Sequence, residues 1–293
     1  MIFQYDYPLF RPPAEANNLI LQVTLGCSHN NCSFCSMYKD KQYKIRKLQD
    51  IYDEIDLLVN MYPNTIKIFL ADGDALSIPT NQLLKILKYL NNSFPKLRRI
   101  SSYATAQNVL NKSSKELEEL SLNKLNLIYF GIETGEEKLL LNINKGVNQK
   151  EIIESLNKAT KANIKISATI ILGLGGKEFS SSHIKQTANI INNTNINYLS
   201  TLQLGLEENE KITFYKNFKN FIHLDDLEIL DEQYKLINLI NTKSKIIFRS
   251  NHTSNTLHLS GTLPKDKNKL LEQIKFTKSR GTQNLIPKIF RGF

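Results

Sequence analysis

The chain alternates six times between a short apolar run and a longer segment with helical periodicity. The apolar runs are residues 19–25, 65–71, 99–104, 125–132, 164–172 and 198–204. The helical patterns lie near residues 47–61, 80–92, 114–122, 149–161, 181–193 and 225–241. Because parallel strands need long crossover connections, six such units predict an α/β class with a parallel sheet and right-handed crossovers.

Polar or glycine residues gather at the carboxyl end of every predicted strand. They are Cys27, Asp72-Gly73-Asp74, Tyr103, residues 131–135, residues 173–176, and Gln203 with Glu207. In parallel α/β folds this end of the sheet carries the active site. A barrel gathers all the strand ends around one point, whereas an open sheet gathers them only at its switch point. We therefore predict a partial (β/α)6 barrel of the TIM type.

The chain after residue 210 has a different pattern. Residues 246–248 are strand-like, and residues 263–274 are predicted as a last helix with Pro264 near its start. This strand–helix extension is too short and too interwoven to be a separate domain. We expect a core of residues 1–210 and an extension of residues 211–293 that packs on the core without folding independently.

The three cysteines of the chain, Cys27, Cys32 and Cys35, lie within nine residues. An odd, clustered set excludes a disulfide framework. Thiolates are soft ligands, and three of them can hold one metal centre while leaving a coordination position open. Two alternatives remain: a zinc site with His29 as fourth ligand, and three unrelated buried cysteines. Zinc ligands usually come as two separated pairs, so we favour the cluster.

The charge balance is basic, with a net charge of +10. A nucleic-acid partner is one explanation. The second explanation is a solvated basic surface without a specific partner, since the basic residues are scattered and lysine greatly outnumbers arginine. We favour the second. No stretch approaches the about 20 apolar residues of a membrane span, and residues 1–6 lack signal-peptide features, so we expect a cytoplasmic protein without a membrane partner.

The cysteine pattern, with Phe34 before the last cysteine, resembles the motif of the radical S-adenosylmethionine (SAM) superfamily, which uses partial or full (β/α) barrels. The superfamily's usual motif has three residues in the first gap, whereas this chain has four. Residues 129–135, 144–146 and 170–176 are similar to segments of its coproporphyrinogen-oxidase-like and elongator-catalytic-subunit-like branch. The resemblance covers about residues 19–206.

The resemblance implies a [4Fe-4S] cluster on Cys27, Cys32 and Cys35, one iron of which binds SAM. One-electron reduction then cleaves SAM and yields a 5′-deoxyadenosyl radical, so an anaerobic enzyme served by an external electron donor such as flavodoxin or ferredoxin is expected. The expected SAM contacts are Phe34, Tyr38, Asp72, Gly73, Asp74, Glu133, Gly173, Gly175 and Gln203. The candidates for catalysis on an unidentified small-molecule substrate are Tyr103, Asn251 and His252, with Gln107 and Arg249 as further substrate contacts. The alternative is a cluster- or zinc-containing RNA-binding or RNA-modifying protein.

Overall fold

The computed structural model describes residues 5–292, so the first four residues, part of the N-terminal segment used above, lie outside it. Ten strands form within the described part. They are β1 (Leu19–Gln22), β2 (Thr24–Leu25), β3 (Lys44–Ile45), β4 (Lys67–Ala71), β5 (Arg99–Ala104), β6 (Leu125–Glu133), β7 (Lys165–Leu172), β8 (Tyr198–Gln203), β9 (Ile246–Ser250) and β10 (Leu259–Leu263). Eight of them make one sheet in the order β1-β4-β5-β6-β7-β8-β9-β10, and β2 pairs with β3 separately.

The large sheet is mostly parallel. The pairs β1–β4, β4–β5, β5–β6, β7–β8 and β8–β9 are parallel, and only the edge pair β9–β10 among the pairings described is antiparallel. Strands β4 and β7 are buried along almost their whole length and β4 is apolar after its first residue, as expected for parallel strands that are covered on both faces. The predicted α/β class with a parallel sheet is therefore confirmed.

Ten α-helices connect these strands in the described residues. They are α1 (Leu48–Met61), α2 (Thr80–Ser93), α3 (Ala106–Asn111), α4 (Ser114–Leu122), α5 (Glu137–Asn142), α6 (Gln149–Lys161), α7 (Gly176–Asn192), α8 (Glu208–Lys216), α9 (Asp226–Leu239) and α10 (Lys267–Ser279). Capping boxes start three of them: Ser113 with Glu116 at α4, Asn148 with Glu151 at α6, and Asp225 with Glu228 at α9. Each box satisfies backbone N–H groups that the first helical turn leaves without partners. No helix of the described chain has the length and apolar character that a membrane crossing needs.

Three predicted boundaries were wrong. The run at residues 19–25 is interrupted at Val23, and β2 turns away to pair with β3. Helix α7 starts at Gly176 rather than near residue 181, because glycines can begin a helix although their pattern is typical of loops. The last helix starts at Lys267 rather than residue 263, because the preceding residues form β10 and pair with β9.

The chain divides into two compact units. The first contains the residues up to Asn30, Met37–Phe130 and Lys158–Ile166. The second contains Asn31–Ser36, Gly131–Asn157 and the residues from Ser167 onward. The division of the chain at residue 210 remains a prediction.

A buried histidine of the second unit yields a prediction about stability. His183 is fully buried; its Nε2–H donates to the Ile171 carbonyl (3.1 Å), and its Nδ1 accepts the Thr134 hydroxyl hydrogen (2.8 Å). Burial lowers the pKa of His183 to about 4, against an ordinary value of 6.5, although the Ile171 bond acts in the other direction. As the pH falls below about 6.5, the unfolded chain therefore takes up a proton that the folded chain refuses, and His183 destabilises the fold.

We expect the stability advantage of the wild type over His183→Gln to shrink by about 3 kcal/mol between pH 7 and pH 4. Denaturant unfolding of both proteins at several pH values measures this difference. Taking the difference cancels the titration of other buried groups. An advantage that stays constant over this range would show that His183 is not held neutral.

Candidate functional site

Cys27 and Gly73 lie against each other in the first unit. A Cβ built on Gly73 would lie 3.0 Å from the Cβ of Cys27 and 2.8 Å from Cε2 of Tyr38. The Gly73 N–H donates to the Gly26 carbonyl (3.1 Å), so the segment after β4 lies against the segment that leads into the cysteines. A side chain at Gly73 would force these groups apart.

The carboxylate of Asp72 also joins the segment after β4 to the segment that leads into the cysteines. One oxygen, Oδ2, accepts from Gln22 Nε2 (3.0 Å), the Gly26 N–H (3.1 Å) and Lys41 Nζ (3.0 Å). Burial raises the pKa of Asp72, and the donors, Lys41 foremost, oppose that rise. The second oxygen is buried and has no hydrogen-bond partner in the described chain. Asp72 is thus chiefly engaged in holding the backbone beside Cys27.

Asp74 is completely buried and is bound on one side only. Its Oδ2 accepts from Ser28 Oγ (2.9 Å), Thr105 Oγ1 (2.9 Å) and the Asn108 amide. Its Oδ1 is buried without a partner among residues 5–292. Burial raises the pKa of Asp74, and these three donors act against the rise. A buried acceptor of this kind is costly unless a donor meets it, so an incoming ammonium group would be well matched.

The predicted aromatic residues of the first unit pack closely. Tyr38 is buried, and its ring meets Phe10 edge to face at 5.5 Å. Tyr103 packs edge to face against Phe69 (5.3 Å) and Tyr129 (6.2 Å). These contacts contribute burial energy, and they also fix the ring positions at the end of β5. Gln107 lies in the first turn of α3, which follows β5.

The other two cysteines belong to the second unit. The Cys35 N–H donates to the Cys32 carbonyl (3.5 Å), and the Ser33 N–H donates to the Ile143 carbonyl (3.0 Å). Phe34 packs against a cluster of buried side chains that contains Ile143, Ile171, Leu174 and Phe214. Phe34 therefore anchors the cysteine loop by packing, whatever further contact it makes.

Glu133 and Lys145 form an ion pair close to these cysteines. Lys145 Nζ lies 3.1 Å from Glu133 Oε1, and both side chains are mostly buried. Glu133 has a positive φ of 62°, and its carboxylate folds back over Gly131, where an added Cβ would collide with Oε1. Burial alone would lower the pKa of Lys145, but the charges of Glu133, Cys32 and Cys35 outweigh it, and the pKa is raised.

The glycine segment after β7 is a tight turn. Gly173 has a positive φ of 78°, and the Gly176 N–H donates to the Gly173 carbonyl (3.1 Å). Gly175 precedes α7, and a Cβ there would lie 2.9 Å from the Cβ of Phe179. The predicted close approach of backbone at these glycines is thus matched by their local conformation.

Residues 251–256 form hydrogen bonds with Gln203 at the end of β8. The Gln203 N–H donates to Ser254 Oγ (3.2 Å), and Gln203 Oε1 accepts from Thr256 Oγ1 (2.6 Å). The Ser254 N–H donates to His252 Nδ1 (3.2 Å), which also lies 2.8 Å from Ser254 Oγ. His252 Nδ1 is therefore an acceptor and the ring hydrogen is on Nε2, in accord with the pKa that burial lowers. Arg249 and Asn251 are exposed.

The structure thus brings predicted residues together in two groups. In the first unit these are Cys27, Tyr38, Asp72, Gly73 and Asp74, and in the second they are Cys32, Cys35 and Glu133. Within residues 5–292, no three His, Cys, Asp or Glu residues are arranged as a ready metal site. A cluster assignment therefore rests on the donor chemistry of the thiolates.

Comparison with known proteins defines the class. The model of the radical SAM superfamily matches residues 21–190, more than half of the chain. The chain belongs to the radical SAM superfamily. This membership agrees with the thiolate donor set and with the mostly parallel α/β sheet.

The similar proteins include HemW and HemN, in agreement with the predicted coproporphyrinogen-oxidase-like branch. The chain is 26% identical over 222 residues to the heme chaperone HemW of Bacillus subtilis (strain 168), covering 72% of this chain and 56% of HemW. It resembles in fold the coproporphyrinogen III oxidase HemN of Escherichia coli, at 15% identity and a TM-score of 0.55, covering 75% of this chain and 52% of HemN. Methylornithine synthase (PylB) is similar too, at 14% identity, a TM-score of 0.54, and 78% and 63% coverage. The chain spans about half the length of HemW and HemN.

Several residues of the site were not assigned by sequence reasoning. Lys145 lies within a segment that resembles the family, but the chain is rich in lysine, so its charge carried no distinctive signal. Ser28, Thr105 and Asn108 are ordinary polar residues whose meeting at Asp74 depends on the fold. The sequence signal that could have indicated these residues was their position next to the recognised motifs.

Proposed function

We propose that this protein is a radical SAM enzyme in which Cys27, Cys32 and Cys35 hold a [4Fe-4S] cluster and the strand ends hold SAM. Superfamily membership over residues 21–190 is the observation that carries the proposal. Two features support the proposal. The three thiols are partly exposed, and the positive charge of Lys145 lies close enough to Cys32 and Cys35 to stabilise them as thiolates.

Two polar groups of the chain suit the ends of the SAM methionine moiety. The buried Oδ1 of Asp74 is an acceptor for the SAM ammonium group, since nothing else in the described chain satisfies it. Lys145 is a donor for the SAM carboxylate. We place Asp72 and Gly73 behind Asp74 as the backbone support that holds Cys27 in position.

The remaining contacts concern the nucleoside. We propose that Glu133 turns from Lys145 to the ribose hydroxyls when SAM is bound, while the backbone at Gly173 and Gly175 faces adenine. Phe34 and Tyr38 are the aromatic residues that we propose flank adenine; Tyr38 is buried, and Phe34 is partly buried against Ile143 and its neighbours. When bound, the cluster and SAM supply one-electron reductive cleavage of a carbon–sulfur bond.

On the substrate side we propose Tyr103, Asn251 and His252, with Gln107 and Arg249 as outer contacts, while Gln203 remains a proposed SAM contact. His252 would act as a neutral donor through Nε2–H, since its Nδ1 accepts from Ser254. The substrate is a small molecule of unidentified class. A cytoplasmic location, anaerobic chemistry, and an external donor such as flavodoxin or ferredoxin belong to the same proposal, as does the division into a core of residues 1–210 and an extension of residues 211–293.

Incubation of anaerobically reconstituted protein with SAM and dithionite tests this function. Chromatography of the products should show 5′-deoxyadenosine and methionine in amounts that grow with protein concentration. Protein that carries an intact cluster and still consumes no SAM would refute the proposal. One zinc and no iron per chain would instead support the RNA-binding alternative.

A further inference from the structure

The turn at residues 173–177, here called the Gly173 turn, is held from one side by α9. A Cβ on Gly173 would lie 2.8 Å from Cδ1 of Ile229, which α9 presents to the turn. Lys177 Nζ also forms an ion pair with Glu228 (2.7 Å) on the same helix. Two consecutive side chains of α9 therefore reach the same short stretch of the chain.

The most buried of these contacts is made by Glu232. Only 1% of this residue is exposed, and its Oε2 accepts the Gly173 N–H at 2.7 Å. Its other oxygen is buried and has no hydrogen-bond partner within the described residues. Burial raises the pKa of Glu232 to about 7, although the Gly173 N–H, Ser180 and Lys235 act to lower it.

Burying a carboxyl group costs more desolvation free energy than burying a water molecule or a neutral side chain, either of which could accept a hydrogen bond from one backbone N–H. What the carboxyl adds is a short, directed bond to an amide whose residue adopts a left-handed conformation. Without that bond, the Gly173 N–H would lack its buried acceptor and the turn would gain freedom, because glycine has few steric limits of its own.

We propose that Glu232 is a positioning residue for the Gly173 turn, and that through this turn α9 sets the backbone against which the adenine of SAM lies. The link between α9 and the adenine of SAM rests on the proposed function, whereas the anchoring of Gly173 does not. Helix α9 lies in the part of the chain after residue 210, so that part would contribute to cofactor binding.

Two variants of Glu232 separate the roles. Glu232→Gln keeps an acceptor oxygen for the Gly173 N–H. Glu232→Leu removes the acceptor and fills a similar volume with an apolar side chain. We expect amide hydrogen exchange at Gly173 to be at least about tenfold faster in Glu232→Leu and near the wild-type rate in Glu232→Gln. The dissociation constant of SAM for reconstituted protein should rise about tenfold in Glu232→Leu alone, as expected if the released turn holds its binding conformation about a tenth of the time.

Gln233→Leu is the matched control, because Gln233 is the next residue of α9, is equally buried, and donates to Thr201 Oγ1 instead (3.3 Å). It should leave Gly173 exchange unchanged. Should Glu232→Leu fail to fold, Glu232→Asp, which keeps the charge but is one methylene too short, replaces it.

Unchanged Gly173 exchange in the folded variant overturns the anchoring. Faster exchange with an unaltered SAM dissociation constant overturns the link to adenine. If the wild type itself binds no SAM, the proposed function fails, while the exchange measurement still decides the role of Glu232.

Discussion

Replacing any one of Cys27, Cys32 or Cys35 by alanine is expected to remove the iron and to abolish SAM cleavage. The chain has only three cysteines, so no other thiolate can take the place of a lost ligand. Loss of an outer-shell partner already weakens metal binding by about 10- to 100-fold, and loss of a direct ligand should cost more. Iron analysis of reconstituted variants and chromatography of 5′-deoxyadenosine measure both effects.

Two neighbouring substitutions make the test specific. Ser36→Ala removes the hydroxyl next to Cys35, which bonds only to the exposed Glu207 among the contacts described (3.3 Å), and iron content should not change. His29→Ala should likewise keep its iron. If His29→Ala loses the metal as fully as the cysteine variants do, His29 is a ligand and the zinc reading becomes the better one.

Lys145→Met is expected to weaken SAM binding by about 10- to 100-fold, which corresponds to loss of a hydrogen bond to a charged group. The substitution removes the proposed partner of the SAM carboxylate and leaves Glu133 buried without its ion pair. Adding Glu133→Gln should restore stability but not SAM affinity, because the neutral amide needs no counter-charge. Equilibrium dialysis with SAM and thermal unfolding measure the two quantities separately.

Lys150→Met is the matched control for Lys145→Met. Lys150 also pairs with a glutamate, Glu154 at 3.8 Å, but both side chains are largely exposed. Exposed pairs contribute little to stability, so neither SAM affinity nor unfolding should change measurably. SAM affinity that is the same in Lys145→Met and Lys150→Met would exclude Lys145 from the SAM site.

The strands of this protein could be predicted well because a parallel strand covered on both faces must be apolar along its length. The runs that became β4, β5, β6, β7 and β8 were each recognised to within about two residues. The six-residue helices α3 and α5 were missed because they span too few turns to show a period. The nine-residue α8 was missed because it has no clear apolar stripe, whereas α4, of the same length, has one and was predicted. Their ends are decided by packing and by caps such as Thr105 at α3.

The candidate site was predictable where chemistry limits the residue type. Only thiolates suit the cluster, and glycine alone adopts the close approach seen at Gly73 without displacing Cys27. Pairings between distant residues were not predictable. Glu232 lies 59 residues from Gly173, and nothing in the local sequence distinguishes it from the half-buried Glu228 one helical turn earlier.

The central claim is that three thiolates hold a four-iron cluster with one iron left for SAM. Electron paramagnetic resonance of the anaerobically reconstituted, dithionite-reduced protein, recorded before and after addition of SAM, tests it most directly. We predict the signal of one reduced four-iron cluster whose g values shift when SAM is added. A cluster signal that saturating SAM leaves unchanged, or protein that takes up no iron, would contradict the claim.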